Sequence, residues 1–530
     1  MKIFLILIVF CVLTNSIFSQ NTKDRQETEM QKESEGSITE SKLIKISDNE
    51  SKWKLSFYGF IKNDYVYANH AILSYGRENL VAPNQAKRQV QRDDYQARSN
   101  IQLGDSRLGF KSEFGPNLSG IIELDFIDFS QSSPNVNVRP RLRQAFFNWT
   151  ISNKWDIFAG QKWDIFSPLN PDTYNIINNL FYLGNVGWIR EQIGTAYKLE
   201  NRLTANFALG NTKVNTSAAP DVSIERNLMP TIAAQLKWQP NQENTVFLSG
   251  ITVGQSYYDP NSDPARSEGK SLQYNGDSDT YPLTGQYGKT NKIKRQASGI
   301  SIGSEYKTQS GNFRLKWEGN WGRNLSDLNV LGIGQAQVTN AENRFLSSEI
   351  GFINGGNSFQ DIQNYNKIRT EVVTIEENGG WLSCAYRFLP EWELGILLGT
   401  VRIVNRKDLS PAFDTSKSNP DAPFRDFSRA QADPVGGSWT PSFIGRIREN
   451  NTIGYNLTHF PMTGLKLFFQ HEYIQTFYHN SSRNSGLAAH IKSVNVETGE
   501  VVLRNVKYDF ELASAKASSH IVRIGAMYSF

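Results

Sequence analysis

The stretch NFRLKWEGNW, residues 312–321, alternates strictly: Phe313, Leu315, Trp317 and Trp321 fall on one side of an extended chain, and Arg314, Lys316, Glu318 and Asn320 on the other. The same period of two runs from Trp53 onward. KLSFYGFIK puts Leu55, Phe57, Gly59 and Ile61 on one face. SRLGFKSEF sets Leu108, Phe110 and Phe114 against Arg107, Lys111 and Glu113, and GIIELDF sets Ile122, Leu124 and Phe126 against Glu123 and Asp125. Strands that are greasy on one side and charged on the other have two destinations. They pack the greasy face against a second sheet, or they turn it outward into lipid and close into a cylinder, because hydrocarbon satisfies no open sheet edge.

The connections separate the two. Short joints at 115–117, 152–154, 200–202, 240–243, 309–311, 389–391 and 461–464 alternate with long polar ones near 68–100, 256–294, 322–370, 406–448 and 479–516. A soluble sandwich has no reason to gather its long loops at one end. The expectation is therefore an all-β fold over 53–530: a transmembrane antiparallel β-barrel of about sixteen strands, with short periplasmic turns and long extracellular loops. The last residues, RIGAMYSF, fit it. Val522, Ile524, Ala526, Tyr528 and Phe530 share one face, and this strand is expected to pair with the first and close the barrel.

The one long apolar run, IFLILIVFCVL, is too short for a spanning helix. It follows Lys2 and leads into TNSIFSQ, so residues 1–19 read as a secretory signal peptide. Cys11 lies inside that run behind Phe10, where a lipoprotein signal carries a small residue. Cys384 is then the single remaining cysteine, on the side of Leu382 and Phe388, and no internal disulfide is available. Residues 20–52, rich in Ser, Glu and Lys, read as a polar periplasmic segment without sustained heptads. Basic residues number 56 against 52 acidic ones, a balance that argues against a nucleic-acid partner.

In such a barrel the inward charges line water. The basic candidates are Arg107, Lys111, Arg139, Arg141, Arg143, Lys162 and Arg190, with Arg139, Arg141 and Arg143 at period two on one strand. Glu123 and Asp125 are the acidic candidates on the neighbouring strand. They either neutralise the arginines as part of the wall or face them across a narrow pore, where opposed rings create a transverse field; the two arrangements are compatible. The segment SPLNPDTYNIINNLFYLGNVGW, 167–188, carries Ile176, Ile177, Leu180, Phe181 and Leu183. Folded into the barrel mouth, 166–187 would bury these groups and narrow the channel, with Asn170, Asp172, Tyr174, Asn178 and Tyr182 offering polar groups. Packing on a neighbouring subunit is the other way to cover them.

Enzymatic signatures are nearly absent. His70, His459, His471, His479, His490 and His520 show no metal spacing, and no cofactor or metal is implied. In FQHEYIQTFYH, His471 and Glu472 point to opposite faces. Asp259, Asn261 and Asp263 lack the glycine and distant glutamate of a calcium loop. A barrel-embedded lipase would need a Ser–His pair at the lipid boundary, for which His520 with Ser518 or Ser519 is the one candidate.

FYGFIKNDYVY, DSRLGFKSEF, GIIELDF, RPRLRQAFFNW, FAGQKWDIFSP and GWIREQIGTAYKL, in that order, resemble the DcaP-like family of outer-membrane porins over about residues 53–198. The resemblance implies a sixteen-stranded homotrimer in the outer membrane of a Gram-negative-type bacterium, admitting small, often anionic solutes such as carboxylates. The family's arginine-bearing strand corresponds to Arg141 and Arg143, and its GQ strand to Gly160 and Gln161. Residues 20–52 depart from the N-terminal coiled coil that family members can carry. The function expected is passive diffusion of small hydrophilic, preferentially anionic solutes, with no bond made or broken. An adhesin or receptor acting through the long loops is the alternative.

Overall fold

The computed structural model describes residues 44–46, 53–70, 97–127, 140–175, 183–211, 230–258, 292–325, 337–340, 370–405, 447–478, 484–494, 501–510 and 516–530. Residues 1–19, the segment 20–52 apart from 44–46, and Arg139, Asn178 and Tyr182 lie outside the described residues. The described chain is one closed antiparallel barrel of sixteen staves. These are β1 (Trp53–Ala68), β2 (Arg98–Gln102 continued by Arg107–Phe114), β3 (Leu118–Asp125), β4 (Arg141–Ser152), β5 (Trp155–Trp163), β6 (Ile189–Glu200), β7 (Leu203–Gly210) and β8 (Thr231–Trp238). The remaining eight are β9 (Asn244–Tyr258), β10 (Lys292–Lys307), β11 (Phe313–Arg323), β12 (Glu376–Leu389), β13 (Trp392–Ile403), β14 (Ile447–Met462), β15 (Leu465–Tyr478) and β16 (Lys516–Ser529). Two small ribbons, Gln337–Asn340 with Thr370–Val373 and Asn484–Val494 with Val501–Phe510, stand in the connections β11–β12 and β15–β16.

Each stave pairs with its sequence neighbours, and β16 returns to β1, from Phe60 opposite Ser529 to Ala68 opposite Ile521. The closing strand is held to its last residue. Gly59 and Phe530 exchange backbone hydrogen bonds of 3.2 and 3.1 Å, and the Phe530 ring lies 5.4 Å from that of Phe57. Both strand edges are thereby paired, as a sheet surrounded by hydrocarbon requires.

The alternation is inverted relative to a soluble protein. Ile61, Phe110, Ile122, Ile193, Ile300, Ile453 and Ile524 point outward, and Ile193 is 57% exposed. Lys62, Asp64, Glu123, Glu318, Glu472 and Arg523 point inward and are almost wholly buried, Lys62 at 2%. Cys384 is half-buried on the outward side of β12. An outward belt of Ile, Phe and Trp around an ionic interior is stable only where the surroundings are oil and the axis is wet.

Two irregularities break the period. Leu103–Ser106 interrupts β2, and between Glu123 and Leu124 the β3–β4 register shifts by one residue. Both reposition charged side chains.

Candidate functional site

The inner wall from β1 to β6 carries a ladder of ion pairs, because alternate residues of adjacent strands face one another across the ladder. Arg141 of β4 binds Asp125 of β3 through both carboxylate oxygens, with Nε donating at 2.8 Å. Glu123 pairs with Arg143 and also accepts from the Tyr58 hydroxyl at 3.2 Å and from Gln144 Nε2 at 3.5 Å. The β3–β4 bulge permits this: Arg143 and Gln144, adjacent in sequence, are both buried on the inner side. The break in β2 brings Asp105 against Lys62 of β1 at 2.9 Å and Arg107 at 3.3 Å.

Arg190 of β6 bonds Asp164 at 3.3 Å, and Lys111 bonds Glu113 at 2.7 Å. The Lys162 ammonium lies 4.4 Å from the ring centre of Phe158 and 4.8 Å from that of Phe146. Arg141 and Arg143 stand over Trp188 and Trp163 at 6.0 and 5.3 Å. In the central pair the cation is the accessible half: the Arg141 side chain is 30% exposed, the Asp125 side chain 0%.

The connection from β5 to β6, described over 164–175 and 183–188, runs through the interior. Its entry is apolar. Ile165, Phe166 and Val186 join Ala208, Ala233, Ile251, Val253, Ala297 and Leu325 in one buried cluster, against the inner faces of β7–β10. Gln235 of β8 donates to the Ile165 carbonyl at 2.7 Å, and Ser249 of β9 to that of Phe166 at 2.7 Å. Farther along, the Asp172 backbone N–H donates to Ser383 of β12 at 3.0 Å. Its carboxylate meets Arg314 and Lys316 of β11, each at 3.2 Å. Burial would raise the Asp172 carboxyl, but Lys316 and Arg314 outweigh it and hold it below the usual carboxylate range.

Tyr174 reaches the opposite wall. Its ring lies flat on Phe468 of β15 at 3.9 Å, its N–H donates to Gln470 at 2.6 Å, and its hydroxyl is 2.7 Å from that of Thr458 on β14. Burial in this niche raises the phenol above its ordinary value. Lys62 Nζ of β1 donates to the Tyr174 carbonyl at 2.6 Å. Asn170 accepts from Asn185 at 3.1 Å, tying the outgoing limb to the returning one.

On the return, Asn320 of β11 donates to the Gly184 carbonyl at 3.2 Å. Gly184 has φ +102 and lies so close to the Gly380 carbonyl of β12 that a Cβ would collide with backbone. Gly184→Ala is expected to displace this limb at a strain of about 1–3 kcal/mol. Reconstituted in a planar bilayer, the variant should show a larger and noisier single-channel conductance than the parent.

Sequence reasoning named one wall and half of the crossing segment. Arg107, Lys111, Arg141, Arg143, Lys162 and Arg190 lie with Glu123 and Asp125 on β2–β6; Asn170, Asp172 and Tyr174 lie on the crossing segment. Their partners Lys62, Asp105 and Asp164 went unnamed. So did the charged far wall, where Arg314 joins Asp172 to Glu393 of β13 at 2.9 Å, and Lys316 also reaches Glu305 at 3.5 Å. Lys466 of β15 faces this cluster, and Lys237 of β8 faces Glu305. The signal for the far wall was NFRLKWEGNW itself, whose inward face holds Arg314, Lys316 and Glu318.

On the outer surface, His471 Nε2 and His520 Nδ1 are 3.0 Å apart, with Glu472 on the inner side of the same strand. The His520 nitrogen that a lipase would orient with an acid therefore meets a second imidazole.

No family model matches the chain, and no curated protein matches it. Solved structures do. The outer membrane channel DcaP of Acinetobacter baumannii aligns with a TM-score of 0.51 at 13% identity, over 91% of this chain and 99% of that one. Salmonella typhi OmpF in complex with daunomycin aligns at 0.44, with 10% identity and coverages of 92% and 100%. An anion-selective porin from Comamonas acidovorans aligns at 0.43, with 9% identity and coverages of 90% and 100%. With DcaP the likeness is one of fold: this chain is built as a closed antiparallel barrel of that kind.

Proposed function

We propose that the protein is an outer-membrane porin that lets small hydrophilic solutes diffuse passively, with a preference for anions. The observation that carries this is the inversion of the barrel, an apolar outer belt around a charged interior, combined with a segment that crosses that interior from β5 to β15. The described parts of the 166–187 segment, 166–175 and 183–187, act as the constriction, facing the arginine-bearing wall of β2–β4. The outer-membrane location rests on the closed barrel, since an open sheet has no place in hydrocarbon. Homotrimer formation rests on the family resemblance, as does the suggestion that carboxylates are among the solutes.

Anion preference needs an argument, because the arginines are paired. A pair cancels at a distance but not at contact. Arg141 and Arg107 are more exposed than the Asp125 and Asp105 they hold, 30% against 0% and 19% against 11%, whereas Arg143 and Glu123 are both almost wholly buried. A passing solute therefore meets guanidinium first. Lys237 and Lys466 add two inward cations with no carboxylate within salt-bridge distance among the described residues.

Planar-bilayer reversal potentials in a potassium chloride gradient test this. An anion-selective channel is expected, more selective in dilute salt because the Debye length shrinks from about 10 Å at 0.1 M to about 3 Å at 1 M. Cation selectivity would overturn the solute preference. No conductance at all would leave the long connections, and a role in binding, as the better account.

A further inference from the structure

Among the fastenings of the crossing segment, two on β11 differ in chemistry. At Asp172 the fastening is ionic. At Ser167 it is a single hydrogen bond, from the Ser167 hydroxyl to Glu318 Oε2 of β11 at 2.9 Å, and Glu318 is 1% exposed. The other carboxyl oxygen, Oε1, has no partner in full hydrogen-bond geometry among the described residues. The Trp381 indole N–H of β12 and the Leu169 backbone N–H lie against this carboxyl, while Asn320 Oδ1 and Ser301 Oγ of β10 have no hydrogen-bond partner among the described residues. The register sets these together: Trp381 stands opposite Glu318, and Ser301 opposite Asn320. Gly303 of β10 lies under the Glu318 side chain, which would be 2.7 Å from a Cβ at that position.

Among the described residues no cation serves this carboxyl. Lys316, two residues away on β11, is engaged by Asp172 and Glu305. Arg190 of β6 is engaged by Asp164. The remaining charged neighbour, Asp164, is itself acidic, and the facing parts of β9 and β10 offer Ser249, Ser301 and Gly303. Asp64, Glu123 and Asp125, by contrast, each face an arginine. A buried carboxylate without a cation is strongly disfavoured, whereas a carboxylic acid of the same shape is tolerated and can donate as well as accept.

We propose that Glu318 is the positioning residue of the constriction, that it seats Ser167 only as the neutral acid, and that its ionisation unseats this limb so that conductance rises with pH. This rests on the reading of the limb 166–175 as part of the constriction. The sign follows from which form is docked. The acid form fits the dry seat and the anion does not, so docking is complete at low pH and is lost as pH rises through the titration of Glu318. The ionic fastening at Asp172 runs the other way, weakening only under strong acid. Between the two, the segment is held at both points.

The test is single-channel conductance of the purified full-length protein in planar bilayers from about pH 5 to pH 9, a range set by the usual spread of buried carboxyl titrations. The parent should show conductance that increases with pH. Glu318→Gln, an uncharged isostere able to donate and accept, should lose that dependence and stay at the low-pH conductance throughout. Ser167→Ala, which removes the hydroxyl and leaves the carboxyl, should open at lower pH than the parent, and adding Glu318→Gln should remove its pH dependence too. A parent profile flat in pH, or a Glu318→Gln profile that follows the parent, overturns the proposal while leaving the porin reading intact. Absence of channels in the parent overturns the porin reading itself.

Discussion

Asp64→Ala is expected to open the barrel seam, and to do so more severely than any other single substitution on the inner wall. Asp64 of β1 is 3% exposed and pairs with Arg523 of β16, which is 1% exposed and also donates to Gln102 of β2 at 3.2 Å. The three side chains therefore clamp the first, second and last staves where the cylinder closes. Removing the carboxylate leaves a guanidinium buried without its counter-charge, a change that costs about 3–5 kcal/mol. Lost pairing between β1 and β16 then exposes two strand edges at once.

Electrophoresis without boiling reads this directly, since a closed barrel migrates ahead of the unfolded chain, or as an oligomer, until it is heated. The variant should lose that compact band at a markedly lower temperature than the parent. Asp64→Asn, which keeps an acceptor for Arg523, should fall between them. Equal midpoints for all three would mean that the ladder hydrogen bonds and the Phe530 anchor close the barrel without help from the pair.

The barrel was legible because period-two patterning is local: each of Leu108, Phe110 and Phe114 declares its face from its neighbours alone, and lipid makes the outward face uniform. The clamp was not. Asp64 and Arg523 are 459 residues apart, and nothing in KNDYVY or HIVRIG announces the other. The same holds for the crossing segment. Its apolar content signalled that it needed cover, yet Tyr174 finds Gln470 across a separation of 296 residues, and the identity of that partner depends on the whole cylinder's curvature.

Bulges were hidden for another reason. Counting by twos through RPRLRQ assigns Arg141 and Arg143 to one side correctly, but it sends Gln144 outward. The shift after Glu123 is a property of the pair of strands and brings Gln144 inward as well. Glu318 was visible as an inward charge in NFRLKWEGNW. Its isolation from cations emerges only when Lys316 is seen to be occupied elsewhere.

The double variant Arg141→Ala with Arg143→Ala should turn the channel toward cations. Both guanidinium groups leave, while Asp125 and Glu123 stay, so the constriction wall changes by two charges and exposes the acidic half of each pair. Two effects compete in deciding whether the barrel survives. Stripping a counter-ion from a sealed core costs several kcal/mol per pair, but these carboxylates border a water-filled lumen, and truncating two long side chains lets water reach them. Rehydration wins beside Asp125, where Arg141 is 30% exposed, while the sealed pair of Arg143 and Glu123 is the one whose loss lowers the temperature at which the barrel unfolds. The variant should therefore still run as a folded barrel without boiling, and its reversal potential should move toward the cation limit, most strongly at low salt. Neutralising the acids in the same molecule, by adding Glu123→Gln and Asp125→Asn, should bring the potential back toward the parent value. Should the double variant keep the parent's anion preference, the arginine strand is a structural ladder, and the selective field belongs to Lys237 and Lys466 on the far side of the lumen.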